Sequence, residues 1–115
     1  MSGVGDLLAE TEEEAITMGR QYLKYFPQNF QNQTTYCENK DAKEKLDVEK
    51  ILPTNPAQPY DMMKVIDGLI DEGSFFEIKK LFARELITGF ARINGRAIGI
   101  VANQPKVKGG VLCVS

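Results

Sequence analysis

The dipeptide Asn94-Gly95 stands between two apolar, β-branched runs, 86–93 and 96–102. Both residues tolerate positive φ, and a two-residue loop of that kind matches the twist of antiparallel strands, so the pair predicts a β-hairpin. Gly89 and Gly99 fall inside the runs, where glycine marks close backbone approach or a bend. Upstream, Asp61 can cap a helix over about 60–72, with Met62, Val65, Ile66, Leu69 and Ile70 at i, i+3, i+4, i+7 and i+8. Gly73 is placed to stop it in the left-handed region. Residues 74–78 read as a short strand and 79–85 as an irregular or single-turn connector. Phe75, Phe76, Phe82 and Phe90 read as core.

The N-terminal part carries a capping box, Thr11-Glu12-Glu13-Glu14. The Thr11 hydroxyl can accept from the Glu14 N–H, and the Glu14 carboxylate can return to the Thr11 N–H. A helix should follow to about Phe26, with Ala15, Met18, Tyr22 and Phe26 on one stripe, before Pro27 stops it. The glutamates can be read as a cation or basic-partner site. The helix dipole explains their position as well as their charge, so a solvated helix start is the stronger reading.

Between these parts the texture changes. Residues 28–33 are amide-rich, 40–50 are highly charged, and Pro53, Pro56 and Pro59 recur at every third position. Such spacing favours extended polyproline-type backbone, and a loop of this length argues for a linker between two bodies. The chain finishes on 111–115, a strand-like segment without turn or cap, as a piece of something larger would.

Composition narrows function by exclusion. The chain has no histidine, which removes Ser-His-Asp and Cys-His catalysis, His-ligated zinc and imidazole proton shuttling. Fourteen Lys and Arg against sixteen Asp and Glu leave a net charge of −2, which argues against a role centred on nucleic-acid phosphates. Cys37 and Cys113 are too few for a disulfide framework and lack metal-site spacing; they read as reduced thiols not bonded to each other. No apolar run reaches the ~18 residues of a membrane span, and 1–10 lacks the basic start of a signal peptide. A cytoplasmic protein is expected.

Three stretches carry a family resemblance: Asp71-Glu72-Gly73-Ser74-Phe75-Phe76-Glu77-Ile78, Thr88-Gly89-Phe90-Ala91-Arg92-Ile93-Asn94-Gly95-Arg96, and Gly99-Ile100-Val101-Ala102-Asn103-Gln104-Pro105-Lys106-Val107. Pro59-Tyr60-Asp61-Met62 and Tyr25-Phe26-Pro27-Gln28-Asn29 fit the same order. The chain resembles the carboxyltransferase (β) subunits of biotin-dependent acyl-CoA carboxylases, of the propionyl-CoA and acetyl-CoA type, and the related decarboxylases and transcarboxylases.

The resemblance implies an α+β fragment of a crotonase-like fold. Residues 1–27 would close the first carboxyltransferase domain, 28–58 would link, and 59–115 would open the second. It implies biotin on a separate carrier protein, acyl-CoA as substrate, a biotin carboxylase partner and a homo-oligomeric parent. Oxyanion stabilisation by backbone N–H groups, the chemistry of this family, needs no histidine.

The family's principal oxyanion glycines fall outside this chain, so the catalytic residues stay unknown. What remains is the loop on the biotin side, with Asn103, Gln104, Gly109 and Gly110 as candidate cofactor-binding residues. Two readings of that loop stand side by side. It can present backbone donors in a nest-like turn, or its amides and glycines can merely satisfy its own backbone. Leu112-Cys113 departs from the Leu-Asp common in the family, which leaves no polar role to carry over there. Arg92 and Arg96 can meet a phosphate, though solvated strand-end charges are the simpler reading. Lys106 and Lys108 can attract an anion or merely keep a loop soluble. The alternative to the family reading is a free-standing, non-catalytic α+β module that pairs through exposed strands.

Overall fold

The computed structural model describes residues 3–33, 36–37 and 47–112. The hairpin forms where Asn94-Gly95 requires it. Strand β2 (Leu86–Ile93) pairs antiparallel with β3 (Arg96–Asn103), Ile93 lying opposite Arg96. Asn94 and Gly95 take φ 50° and 76°, both in the left-handed region that a tight primed turn demands. Strand β1 (Phe76–Ile78) adds to the other side of β2, with Phe76 opposite Phe90, so the sheet order is β1-β2-β3. A Cβ on Gly89 would lie 2.5 Å from the Phe76 carbonyl oxygen, so close approach does explain that glycine. Gly99 differs: a Cβ there meets nothing within 4 Å.

Alternation along β2 sends Ile87 and Ala91 to one face and Phe90 and Arg92 to the other. The first face receives α3 (Met62–Leu69). Ile66, Ile70, Ile87 and Ala91 are all buried there, flanked by Met62, Met63, Phe75, Ile98, Ile100 and Ala102. Each such apolar side chain removed from water contributes about 1.5–3 kcal/mol, less for alanine. Helix α3 starts at its expected cap, the Asp61 carboxylate accepting from the Met63 N–H at 3.0 Å. It ends at Leu69, well before Gly73. Ile70 turns extended (φ −99°, ψ 162°), and the Asp71 N–H donates to the Arg92 carbonyl at 2.8 Å. The sheet therefore captures the chain before the helix can run on. Gly73 is left-handed, at φ 69°, in a separate turn.

The second face receives the end of α1 (Glu12–Leu23). Thr11 caps it, accepting from the Glu14 N–H at 3.1 Å, while the Glu14 carboxylate accepts from Glu10, one residue beyond its expected partner, at 2.7 Å. The helix closes three residues before Phe26. Tyr25 and Phe26 bond three residues back, which tightens the chain toward Pro27. Tyr22 and Phe26 set their rings 5.7 and 5.4 Å from Phe90, and the Tyr25 hydroxyl donates to the Ser74 carbonyl.

Two expectations about side chains need correction. Arg92 is only 8% exposed rather than solvated. It donates to the Gly95 carbonyl at 2.9 Å and the Lys24 carbonyl at 2.5 Å, and lies over the Tyr25 ring. It thereby ties the end of α1 to the hairpin turn. Arg96 does stay outside, its Nε donating to the Tyr36 hydroxyl at 2.6 Å. Phe82 is 39% exposed and lies against Gly3 instead of joining the core.

The 28–58 stretch is not uniformly extended. It holds a four-residue helix, α2 (Val48–Ile51). The 53–59 prolines flank a turn in which Asn55 accepts from the Ala57 N–H through its side chain and from the Gln58 N–H through its carbonyl, both at 3.0 Å. Asparagine's short amide favours that local turn over a continuous polyproline run. Cys37 is free and exposed, and Cys113 lies outside the described residues. No helix among the described residues is long and apolar enough to cross a membrane.

Candidate functional site

The four candidate residues fall on one loop, and the structure gives them unequal roles. Strand β3 delivers Asn103, whose Nδ2 donates to the Gly110 carbonyl at 2.7 Å and closes the loop on itself. Within it, Lys108, Gly109 and Gly110 take φ 47°, 68° and 72°, three successive left-handed residues. Two glycines make that path accessible, since side chains rarely adopt it. The Gly110 N–H already donates to the Val107 carbonyl at 2.8 Å, so it is not presented as a free donor. Gly109 is exposed at the loop's outer corner.

Gln104 is buried, at 8% exposure, and bonds on every side. Its N–H donates to the Glu85 carbonyl at 2.8 Å, and its own carbonyl accepts from Val107 at 3.0 Å. Its side-chain Oε1 accepts from the Met62 N–H at 3.0 Å, and its Nε2 donates to Asp61 Oδ1 at 2.8 Å. One carboxamide thus joins the end of β3 to the start of α3. Lys106 reaches the other Asp61 oxygen at 3.4 Å. Lys108 is exposed.

Beside this junction lies a cleft of about 510 Å³, lined by Pro56, Ala57, Gln58, Pro59, Tyr60, Pro105, Lys106 and Gly109. Its walls combine proline rings and an aromatic ring with one cation. A second cleft of similar volume lies beside β1, lined mainly by Leu7, Leu8, Met18, Leu81 and Phe82. It is apolar, and its Lys79 is held by Asp6 at 2.6 Å and the Gly3 carbonyl at 2.7 Å. The first cleft is the better candidate, because the loop singled out in the sequence forms one of its walls.

Sequence reasoning marked Asp61 only as a helix cap. The residues that meet there are 43 positions apart, and no local signal joins them. The hydrogen bond from Gln104 is the main reason the Asp61 carboxyl sits below its usual range, with the Met63 N–H and Lys106 adding to it and burial opposing. Since folding lowers that pKa, the contribution is fully present above the unfolded value of about 3.9 and is lost as pH falls through the folded value. Asp61→Asn is therefore expected to flatten the acid limb of stability below about pH 4. Urea unfolding at pH 7 and at pH 2.5 checks this; equal losses in both proteins would contradict it.

The sequence profile of the Carboxyl transferase domain matches residues 1–115, the full length of the chain. The chain belongs to the carboxyl transferase domain family. Among relatives of this family, an uncharacterized carboxylase of Bacillus subtilis is 57% identical over 113 residues, covering 97% of this chain and 22% of that protein. The propionyl-CoA carboxylase carboxyltransferase subunit of Haloferax mediterranei is 42% identical over 113 residues, covering 96% of this chain and 22% of the subunit. A solved transcarboxylase 12S, a hexamer with methylmalonyl-coenzyme A and methylmalonic acid bound, superimposes with a TM-score of 0.87 at 35% identity, over 96% of this chain and 22% of that one. The chain therefore spans 22% of the length of these relatives. The match bears out both the family resemblance and the α+β, crotonase-like fold expected from it.

Proposed function

We propose that this chain is part of a biotin-dependent acyl-CoA carboxyltransferase subunit, which moves a carboxyl group between carboxybiotin and an acyl-CoA of the propionyl or acetyl type. The observation that carries this is the family match over residues 1–115, to relatives named as carboxyltransferase subunits. Residues 1–27 would close one domain, 28–58 would link, and 59–115 would open the next. The exposed apolar surface supports that division: Val101 is 75% exposed on a strand that, among the described residues, pairs on one side only. An edge of this kind is ordinarily covered by more chain. The contacts of Tyr22, Tyr25 and Phe26 with the sheet would form the seam between the two domains.

In this reaction the bond from carbon to the biotin nitrogen breaks as a carbon–carbon bond forms at the α-carbon of the thioester. The α-proton passes to the ureido nitrogen left behind. The described loop fits a supporting role in that chemistry. Its Gly110 and Gln104 N–H groups are consumed internally, so these two are not oxyanion donors, and its Pro105 and Lys106 line a cleft faced by Pro59 and Tyr60. Biotin would arrive on a carrier protein charged by a biotin carboxylase, in a homo-oligomeric, cytoplasmic enzyme of the ligase type. The alternative, a free-standing interaction module, is not favoured, because a match running the full length of the chain leaves no separate body for it.

The test is carboxylation of propionyl-CoA and acetyl-CoA with a carboxybiotin-loaded carrier. The intact subunit containing this sequence should turn over, and failure on both substrates would defeat the proposal. The 115-residue chain alone should not exceed the control without protein. Losing one oxyanion donor costs ~100- to 1000-fold, and this chain supplies neither of the family's main donor sets.

A further inference from the structure

We infer that Gln104 and Asp61 act as a positioning pair, a side-chain lock that sets the 105–109 wall of the cleft against the start of α3, and that Gln104 is not itself a ligand-binding group. The inference rests on the proposed function for what the cleft binds, but the lock itself is drawn from the geometry. A side-chain amide that met a ligand would need a free donor or acceptor aimed at the cleft. In Gln104 both ends of the amide are turned to the protein, Oε1 to the Met62 N–H at 3.0 Å and Nε2 to Asp61 at 2.8 Å. The residue is buried, and it does not line the cleft, whereas its neighbours Pro105 and Lys106 do.

The lock has three consequences for the wall. Through Oε1, Gln104 holds the first turn of α3, where the chain arrives from Pro59 and Tyr60 on the opposite wall. Through its backbone carbonyl it accepts from Val107, which fixes the turn carrying Pro105 and Lys106. Through Asp61 it places the partner that reaches Lys106 at 3.4 Å. Both walls are thus referred to one residue, through its carboxamide and its backbone carbonyl. A buried amide with both ends satisfied is a rigid element, and removing one partner leaves a buried polar group unpaired.

The polarity of the Gln104–Asp61 bond supplies the test. Gln104→Glu keeps an acceptor for Met62 but sets one carboxylate against another. Adding Asp61→Asn removes the second negative charge from the pair while its carbonyl still caps Met63. In the intact subunit, with methylmalonyl-CoA as carboxyl donor and free biotin as acceptor, Gln104→Glu is expected to raise the KM for biotin about tenfold, leaving kcat and the KM for methylmalonyl-CoA within twofold. The double variant should bring the biotin KM back to within about threefold of wild type. An unchanged biotin KM in the single variant would overturn the lock. A rise that the double variant fails to rescue would show that Gln104 contacts the ligand directly. A parallel fall in every parameter with loss of folded protein would reduce the pair to a merely structural role. If the intact subunit transfers no carboxyl group, the functional reading fails separately. Hydrogen exchange then decides the lock: the Met62 and Val107 amides should exchange about tenfold faster in Gln104→Glu and recover in the double variant, and unchanged rates would refute it.

Discussion

Asp71→Ala is expected to destabilise the chain by about 3 kcal/mol and to lower its Tm by roughly 10–20 °C. Asp71 is 7% exposed, and its carboxylate accepts from both residues of the hairpin turn, Asn94 at 2.9 Å and Gly95 at 2.7 Å. Hydrogen bonds to a charged acceptor contribute about 1.5–3 kcal/mol each, and truncation also strands the Gly95 N–H away from water. The same residue's N–H bonds the Arg92 carbonyl, so the stretch after α3 is stitched to β2 and to the turn at once. Asp71→Asn retains one acceptor oxygen and should lose about half as much. Thermal and urea unfolding followed by circular dichroism measures both variants. A loss below about 1 kcal/mol for alanine would show that the turn holds itself without the carboxylate.

The second large effect is a contrast between two glycines in neighbouring strands. Gly89→Ala should cost about 2–3 kcal/mol, because the new methyl would sit 2.5 Å from the Phe76 carbonyl oxygen and 3.1 Å from the Glu77 Cα. Those are backbone atoms of β1, which pairs over three residues only, so the strain is relieved by displacing that strand. Gly99→Ala meets nothing within 4 Å and should be neutral or stabilising by up to about 1 kcal/mol, since alanine has less backbone freedom to lose. Loss of the β1–β2 amide protection in Gly89→Ala but not in Gly99→Ala would support the assignment. Equal stabilities for the two variants would contradict it.

These two cases also mark where reading the chain as a string stops. Nothing local distinguishes Gly89 from Gly99: each is a glycine inside a β-branched run. Their difference arises because β2 is central and β1 crosses close to one of them. The same holds for Arg92. A strand-end arginine is ordinarily solvated. Burial follows here from Lys24 and Tyr25 arriving from 68 and 67 positions away in sequence, with a carbonyl and a ring for the guanidinium. Phe82 shows the converse, an aromatic side chain left 39% exposed because the connector carries it away from the sheet.

Much was determined by the sequence alone, and for one reason: short-range signals act within a few residues. The Asn94-Gly95 turn, the Thr11 and Asp61 caps and the family motifs each depend on neighbours in the chain, and each is found where expected. The tertiary structure alone decided where α3 stops, since the hydrogen bonds that end it come from β2 and the hairpin turn. It also decided what Gln104 does. The four candidate residues were legible as one loop from their spacing. Their division into a loop closure at Asn103 and Gly110, an exposed corner at Gly109 and a buried lock at Gln104 depends on Asp61, Met62 and Glu85, which reach Gln104 only when the helix packs on the sheet. Hydrogen-bond partners across such distances are set by packing geometry, which local propensity does not encode.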